Sequence, residues 1–414
     1  MLAMLPVEYL GTWVGLIGLV TTLTILAILR VHLGLSLLIT AIVTGIISIG
    51  PRGVLSVLVE TSSNIQTLNL IFITFMILVL IGLYKTTNQL SRFSESLRLL
   101  LRSSKLAITL LPTILGLLPV IGGALMSAPI VDIEGKRLGL SVGKRVFVNL
   151  WFRHIIMVIY PLNQALVLTA TLSGLNLWEI IIRQIPIALF MFITGFLLTF
   201  KGISGCSVQY KYTSEREDRL RLKLLLEFVR LLSPIILAIT VALVFKLNLA
   251  VAILLGIILL SYLAKPTLNS FTSILRDETL YLTLLAAYSA MLLKNIVITS
   301  GIPEVIAYFI SQSGISHIIV LTILPLTLSL LLGLVSSGIA LAIPLIQGIT
   351  DISVREVSLI YISSYLGYLS SPSHLCLIVT TQYFKTHVTI GHRYLIPLSI
   401  LTLIFTIILY YIWY

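Results

Sequence analysis

Long apolar runs separated by short polar stretches dominate the chain, and their spacing predicts helices rather than strands. Runs over 10–29, 33–50, 67–84, 178–200, 228–245, 247–264, 279–300 and 394–414 lie near the ~20 residues a bilayer-spanning helix needs. Four segments break this rule. Segments 106–130 and 317–348 are interrupted by Gly, Ser and Pro where a plain membrane helix carries Leu and Ile. Segments 146–172 and 357–384 exceed one span and carry an internal proline, as expected of helices unwound in the middle. The expected fold is an all-α polytopic membrane protein.

The interruptions come in pairs. Val120-Ile-Gly-Gly-Ala-Leu-Met-Ser-Ala-Pro129 has a counterpart in Val335-Ser-Ser-Gly-Ile-Ala-Leu-Ala-Ile-Pro344, at an offset of 215 residues. Tyr160-Pro-Leu-Asn-Gln-Ala-Leu-Val-Leu-Thr169 has one in Ser371-Pro-Ser-His-Leu-Cys-Leu-Ile-Val-Thr380, at an offset of 211. The chain therefore divides into a first repeat over 1–200, a charged linker over 201–227 and a second repeat over 228–414. Interrupted segments at corresponding places in two halves are the sequence mark of a secondary transporter's binding site.

Charge sets the expected topology. Lys85, Arg92, Arg98, Arg102 and Lys105 precede segment 106–130, and Lys136, Arg137, Lys144 and Arg145 follow it. A full crossing would put one basic cluster on the wrong side of a membrane whose cytoplasmic loops are the basic ones, whereas a re-entrant hairpin leaves both inside. Pro112, Gly116, Pro119, Gly122 and Gly123 supply the break at its tip. Each half then has five crossings and one hairpin, so the halves are inverted. Both termini lie outside and the linker is cytoplasmic, in a multi-pass protein of the cell membrane. The net charge of +12 is absorbed by this loop bias and implies no nucleic-acid partner. With 58% hydrophobic and 10% charged residues and a mean hydropathy of +1.11, a soluble globular protein is excluded. The cysteines, Cys206 and Cys376, fall short of a thiolate metal site and make a structural disulfide unexpected.

The residues expected to carry chemistry sit at the breaks. Ser371-Pro372 reads as an N-cap with proline at the first helical position, and Tyr160-Pro161 as the start of the matching half-helix. Such helix starts present positive ends and free N–H groups to a carboxylate, phosphate or sulfate. Gly122, Gly123, Ser127, Ser336, Ser337 and Gly338 would line the hairpin tips; Asn163, Gln164, Ser373 and His374 add polar side chains. The competing reading of these small residues is helix packing. Arg153, eight residues beyond Arg145, suits an anion, against the alternative of snorkelling to the surface. Asn163, Ser337 and Ser373 are candidate neighbours of a coupling sodium ion, and His374 could carry a proton or make structural hydrogen bonds. Lys294 is expected to snorkel outward. No Asp or Glu falls within the predicted membrane interior, all fifteen mapping to loops, termini or span ends, which favours anion over cation transport.

Leu118-Pro-Val-Ile-Gly-Gly-Ala-Leu-Met-Ser-Ala-Pro129, Trp151-Phe-Arg-His154 and Ser371-Pro-Ser-His-Leu-Cys376 resemble an uncharacterised prokaryotic integral-membrane family. That family is grouped with the ion transporter superfamily of divalent anion–sodium symporters and citrate carriers. The resemblance implies inverted repeats, a substrate site at the hairpin tips, elevator-type movement and a homodimer. The symporters carry Ser-Asn-Thr at both tips; here the tips read Gly122-Gly-Ala124 and Ser336-Ser-Gly338, which leaves sodium and dicarboxylate specificity open. The expectation is a non-enzymatic transporter of a small anion, organic by preference, driven by sodium or protons and needing no other cofactor. An arsenite or sulfate transporter or channel is the alternative, and an intramembrane enzyme the third.

Overall fold

Hydrocarbon offers backbone N–H and C=O groups no partner, so a chain this apolar satisfies them inside helices. The computed structural model describes residues 10–29, 31–101, 103–117, 124–202, 215–347 and 351–413, and among them there is no strand. The first half contains α1 (Leu10–Ile28), α2 (Leu33–Ser63), α3 (Ile65–Thr86), α4 (Gln89–Leu100), α5 (Ser104–Leu115), α6 (Ala124–Arg137), α7 (Val142–Ile155), α8 (Gln164–Ser173) and α9 (Leu177–Phe200). The second contains α10 (Glu215–Val244), α11 (Leu249–Ala264), α12 (Leu268–Leu275), α13 (Glu278–Thr299), α14 (Ile302–Ser313), α15 (His317–Leu332), α16 (Val335–Gln347), α17 (Val354–Ser370), α18 (Leu375–Tyr383) and α19 (Val388–Ile412).

Among the described residues six helices are long and apolar enough to cross a bilayer, and shorter apolar helices accompany them. Their outward faces are apolar: Ile182, Leu189, Ile193 and Leu197 of α9 are all more than half exposed. Such a surface needs lipid rather than water around it. The chain is a multi-pass membrane protein.

The halves match element for element. The single helix α2 corresponds to the pair α11 and α12, because Gly50 (φ 72°) and Pro51 kink it without ending it. Packing matches as well. α1 lies on α2 as α10 lies on α11; α5 packs on α6 and α7 as α15 packs on α16 and α17. Contacts also cross between the halves in exchanged form: α2 with α13 and α3 with α11, α8 with α16 and α6 with α18.

Several details depart from the sequence expectation. α4 and α14 occupy stretches expected to be loop, because α4 is amphipathic and polar and α14 is amphipathic and, at 12 residues, too short to register as a span. Both long segments are broken, but the second half-helices start later than expected. Proline disfavours the helical conformation in the residue before it, so Ser371 leaves the helix and is the C-cap of α17, not an N-cap. The chain turns through Pro372 and Ser373, and α18 starts at Leu375 with His374 as its N-cap. In the first half the chain passes through a short 3-10 turn, and α8 begins at Gln164, capped by Asn163, rather than at Tyr160-Pro161.

Candidate functional site

The breaks create groups that must be satisfied inside the protein. Unwinding after α7 frees the carbonyls of His154 and Met157. Tyr365 donates its hydroxyl to the first, and Tyr361 donates to the second at 3.1 Å. The Asn163 amide also donates to Met157 O, at 2.7 Å, while its Oδ1 accepts from Ala165 N at 3.0 Å. Arg153 reaches back to the end of α5, donating to Leu115 O at 3.2 Å. Gly116 permits this approach, since a Cβ there would lie 2.2 Å from the Arg153 carbonyl. The tyrosines at 361, 365 and 368 share one face of α17, a helical spacing legible in the sequence but not singled out from it.

Around this frame lies a cavity of about 320 Å³. One wall comes from α2, α3 and α13 through Leu37, Leu70, Thr74 and Thr283; the other comes from the broken segments and the second hairpin. Three helices point their N-terminal turns into it. α8 presents Gln164 and Ala165, α16 presents Val335 and Ser336, and α18 presents Leu375 and Cys376. Arg153 lines the same cavity at 1% exposure, so it faces the interior and does not snorkel. No Asp or Glu lines it among the described residues. One guanidinium and three helix N-termini give it a positive potential.

Of the residues expected from sequence, Arg153, Asn163, Gln164 and Ser336 converge on this cavity. Others do not line it. Ser127 is buried and donates to Asn149 Oδ1 at 2.6 Å, tying α6 to α7. Ser337 donates to Leu334 O at 2.6 Å. Gly338 is a packing glycine, where a Cβ would fall 2.8 Å from Pro325 O of α15. Ser371 is buried and accepts from Ser373 N at 3.1 Å. Ser373 is exposed and borders a second cavity of about 460 Å³, beyond the Gly333-Leu334 turn. Gly122 and Gly123 lie outside the described residues. Of the candidate sodium neighbours, Asn163 lines the first cavity and Ser373 the second, while the Ser337 hydroxyl is taken up by Leu334 O. His374 is fully buried behind the cavity, close to His154, with ring centroids 4.8 Å apart.

Lys294 also departs from expectation. Instead of snorkelling outward, its Nζ donates to Leu172 O at 2.7 Å, and Gln347 donates to the same carbonyl at 3.2 Å. Together they satisfy the C-terminal end of α8, where the helix dipole favours a cation.

Sequence comparison places these features in a family. Residues 13–413 match DUF401, described as a protein of unknown function. The chain belongs to the DUF401 family. No functionally curated protein shows significant similarity to it. Among solved structures, the fold resembles that titled "Crystal structure of the Alcanivorax borkumensis YdaH transporter reveals an unusual topology". The TM-score is 0.63 at 11% identity, with 88% of each chain covered. At that identity the likeness establishes a shared fold.

Proposed function

We propose that this DUF401 protein is a secondary transporter of a small organic anion. The observation that carries the reading is the cavity into which Arg153 and the N-termini of α8, α16 and α18 all point, with no carboxylate among its described lining residues. Those donors suit an anionic head group. Much of the remaining lining, including Leu37, Leu70, Met157 and Leu168, is apolar and suits a carbon body. That favours an organic anion over sulfate or arsenite, which would leave these surfaces facing a strongly hydrated ion. The shared fold with a protein titled a transporter supports transport over catalysis.

In this reading the halves are inverted repeats and the pairs α5–α6 and α15–α16 are re-entrant hairpins. Helices of 12 to 16 residues reach only ~18–24 Å, short of the ~30 Å hydrocarbon core. Both termini are outside and the linker is cytoplasmic. The wall from α2, α3 and α13 is the static part, and the broken segments with the hairpins carry the anion past it in an elevator-type movement. A homodimer anchors the static part, as in the ion transporter superfamily, and sodium or a proton supplies the drive.

Proteoliposome uptake tests this directly. Labelled carboxylates are offered under an inward sodium gradient, an inward proton gradient, or neither. Saturable accumulation under one gradient supports the reading and names the coupling ion. Equilibration at channel-like rates, or no uptake of any anion by folded protein, contradicts it.

A further inference from the structure

We propose that His154, His374 and Cys376 form a binding site for a thiophilic d-block cation of the zinc(II) or copper(I) kind, in the wall of the cavity. His154 lies at the end of α7, His374 in the break before α18, and Cys376 in the first turn of α18. One nitrogen of each ring and the thiol sulfur all lie within 4.8 Å of one another. Metal–ligand bonds of ~2.0–2.3 Å bring such donors to within about 4 Å, a small side-chain adjustment from here.

Each donor is prepared in its own way. The His154 Nδ1 lies 2.7 Å from Leu150 O. A carbonyl only accepts, so Nδ1 carries the proton and Nε2 offers its lone pair. A backbone carbonyl on the far nitrogen is the arrangement that orients metal-ligating histidines. The Nε2 otherwise meets only a long contact to the Tyr368 hydroxyl, at 3.4 Å. His374 is fully buried, and neither of its ring nitrogens completes a hydrogen bond, although the Leu369 carbonyl lies near. Leaving a buried imidazole unsatisfied is costly, and a cation on one lone pair removes part of that cost. The Cys376 thiol has Arg153 and Tyr368 within hydrogen-bonding reach. A metal ion bound there would itself deprotonate the thiol, and the thiolate is the form that ligates.

Two imidazoles and one thiolate select soft and borderline ions over sodium, magnesium and calcium. The thiolate offsets part of the ion's charge, which lessens repulsion from Arg153. Cys376 lines the cavity, giving the ion a route in and leaving a further coordination position on that side. The bound ion would join the break after α7 to the break before α18, one from each half. The inference rests on these donors and is independent of anion transport.

The test is cobalt(II) titration of the purified, reduced full chain in detergent, followed by displacement with zinc(II). The expected result is a thiolate-to-cobalt charge-transfer band saturating at about one equivalent. The band persists in Cys206→Ser, disappears in Cys376→Ser, and weakens at least tenfold in apparent affinity in His374→Gln. Cys206 is the one other cysteine in the sequence, so a band in folded Cys206→Ser assigns the sulfur even if Cys376→Ser fails to fold. Absence of a thiolate band in folded wild type, or its loss in folded Cys206→Ser, overturns the proposal.

Discussion

Replacing Arg153 by glutamine removes the one charged side chain lining the cavity among the described residues. An anion seated about 4 Å from a guanidinium, at an effective dielectric of about 20, gains roughly 4 kcal/mol. The N-termini of α8, α16 and α18 remain in the variant, and water entering the cavity screens part of the interaction. The net loss is then about 2–3 kcal/mol, or ~30- to ~160-fold in Kd. Arg153 also donates to Leu115 O, so the variant loses one hydrogen bond of the fold, worth about 1 kcal/mol. Two measurements separate these effects. The unliganded melting temperature reports the structural loss, and equilibrium binding of the most stabilising anion reports the charge. Arg153→Lys keeps the charge and should stay within about tenfold of wild type, because it forfeits the planar fork but not the electrostatics. Folded Arg153→Gln that binds the anion within threefold of wild type would refute the assignment of Arg153 to the anion.

Three further outcomes follow from the packing. Gly116→Ala puts a Cβ against the Arg153 carbonyl and Ile156 Cγ2, at 2.2 and 2.6 Å, and should cost about 1–3 kcal/mol of stability; an unchanged melting temperature would contradict the close approach. Tyr365→Phe removes the hydroxyl donor to the buried His154 carbonyl, leaving it only the Ile156 N–H, and should cost about 1 kcal/mol, measured by thermal melting, while anion binding changes less than in Arg153→Gln. Lys294→Met should be milder, about 1 kcal/mol, because Gln347 still donates to Leu172 O; removing both donors in Lys294→Met with Gln347→Leu should lower the melting temperature by more than the sum of the single changes.

The breaks in the two long segments, and the placing of Arg153, Asn163, Gln164 and Ser336 near breaks where a cavity forms, were legible in the sequence. Each leaves a local mark: a proline, a glycine pair, or a polar side chain in an apolar run. The exact half-helix starts were not legible. Ser371-Pro372 fits an N-cap pattern, yet the same proline equally ends the helix before it, and tertiary packing chose the second outcome. Two small residues at the hairpins have packing and tethering roles that sequence does not reveal. Gly338 is small because α15 crosses it, and Ser127 is polar because Asn149 faces it. Lys294 and the cluster of His154, His374 and Cys376 depend on contacts between residues far apart in sequence, which no local pattern records. The helices α4 and α14 went unseen because hydropathy finds spans and passes over amphipathic segments.

The central claim is that the cavity receives an organic anion. A thermal-shift screen of the purified chain tests it most directly, using carboxylates with apolar bodies, sulfate, and organic cations and neutral compounds of equal size. Each is tested with and without sodium, at two pH values. A ligand that binds the folded state raises its apparent stability by mass action. Organic carboxylates should stabilise the chain, sulfate should do so more weakly, and both effects should be lost in Arg153→Gln. Stabilisation by the organic cations or neutral compounds, with no response to any anion, would contradict it.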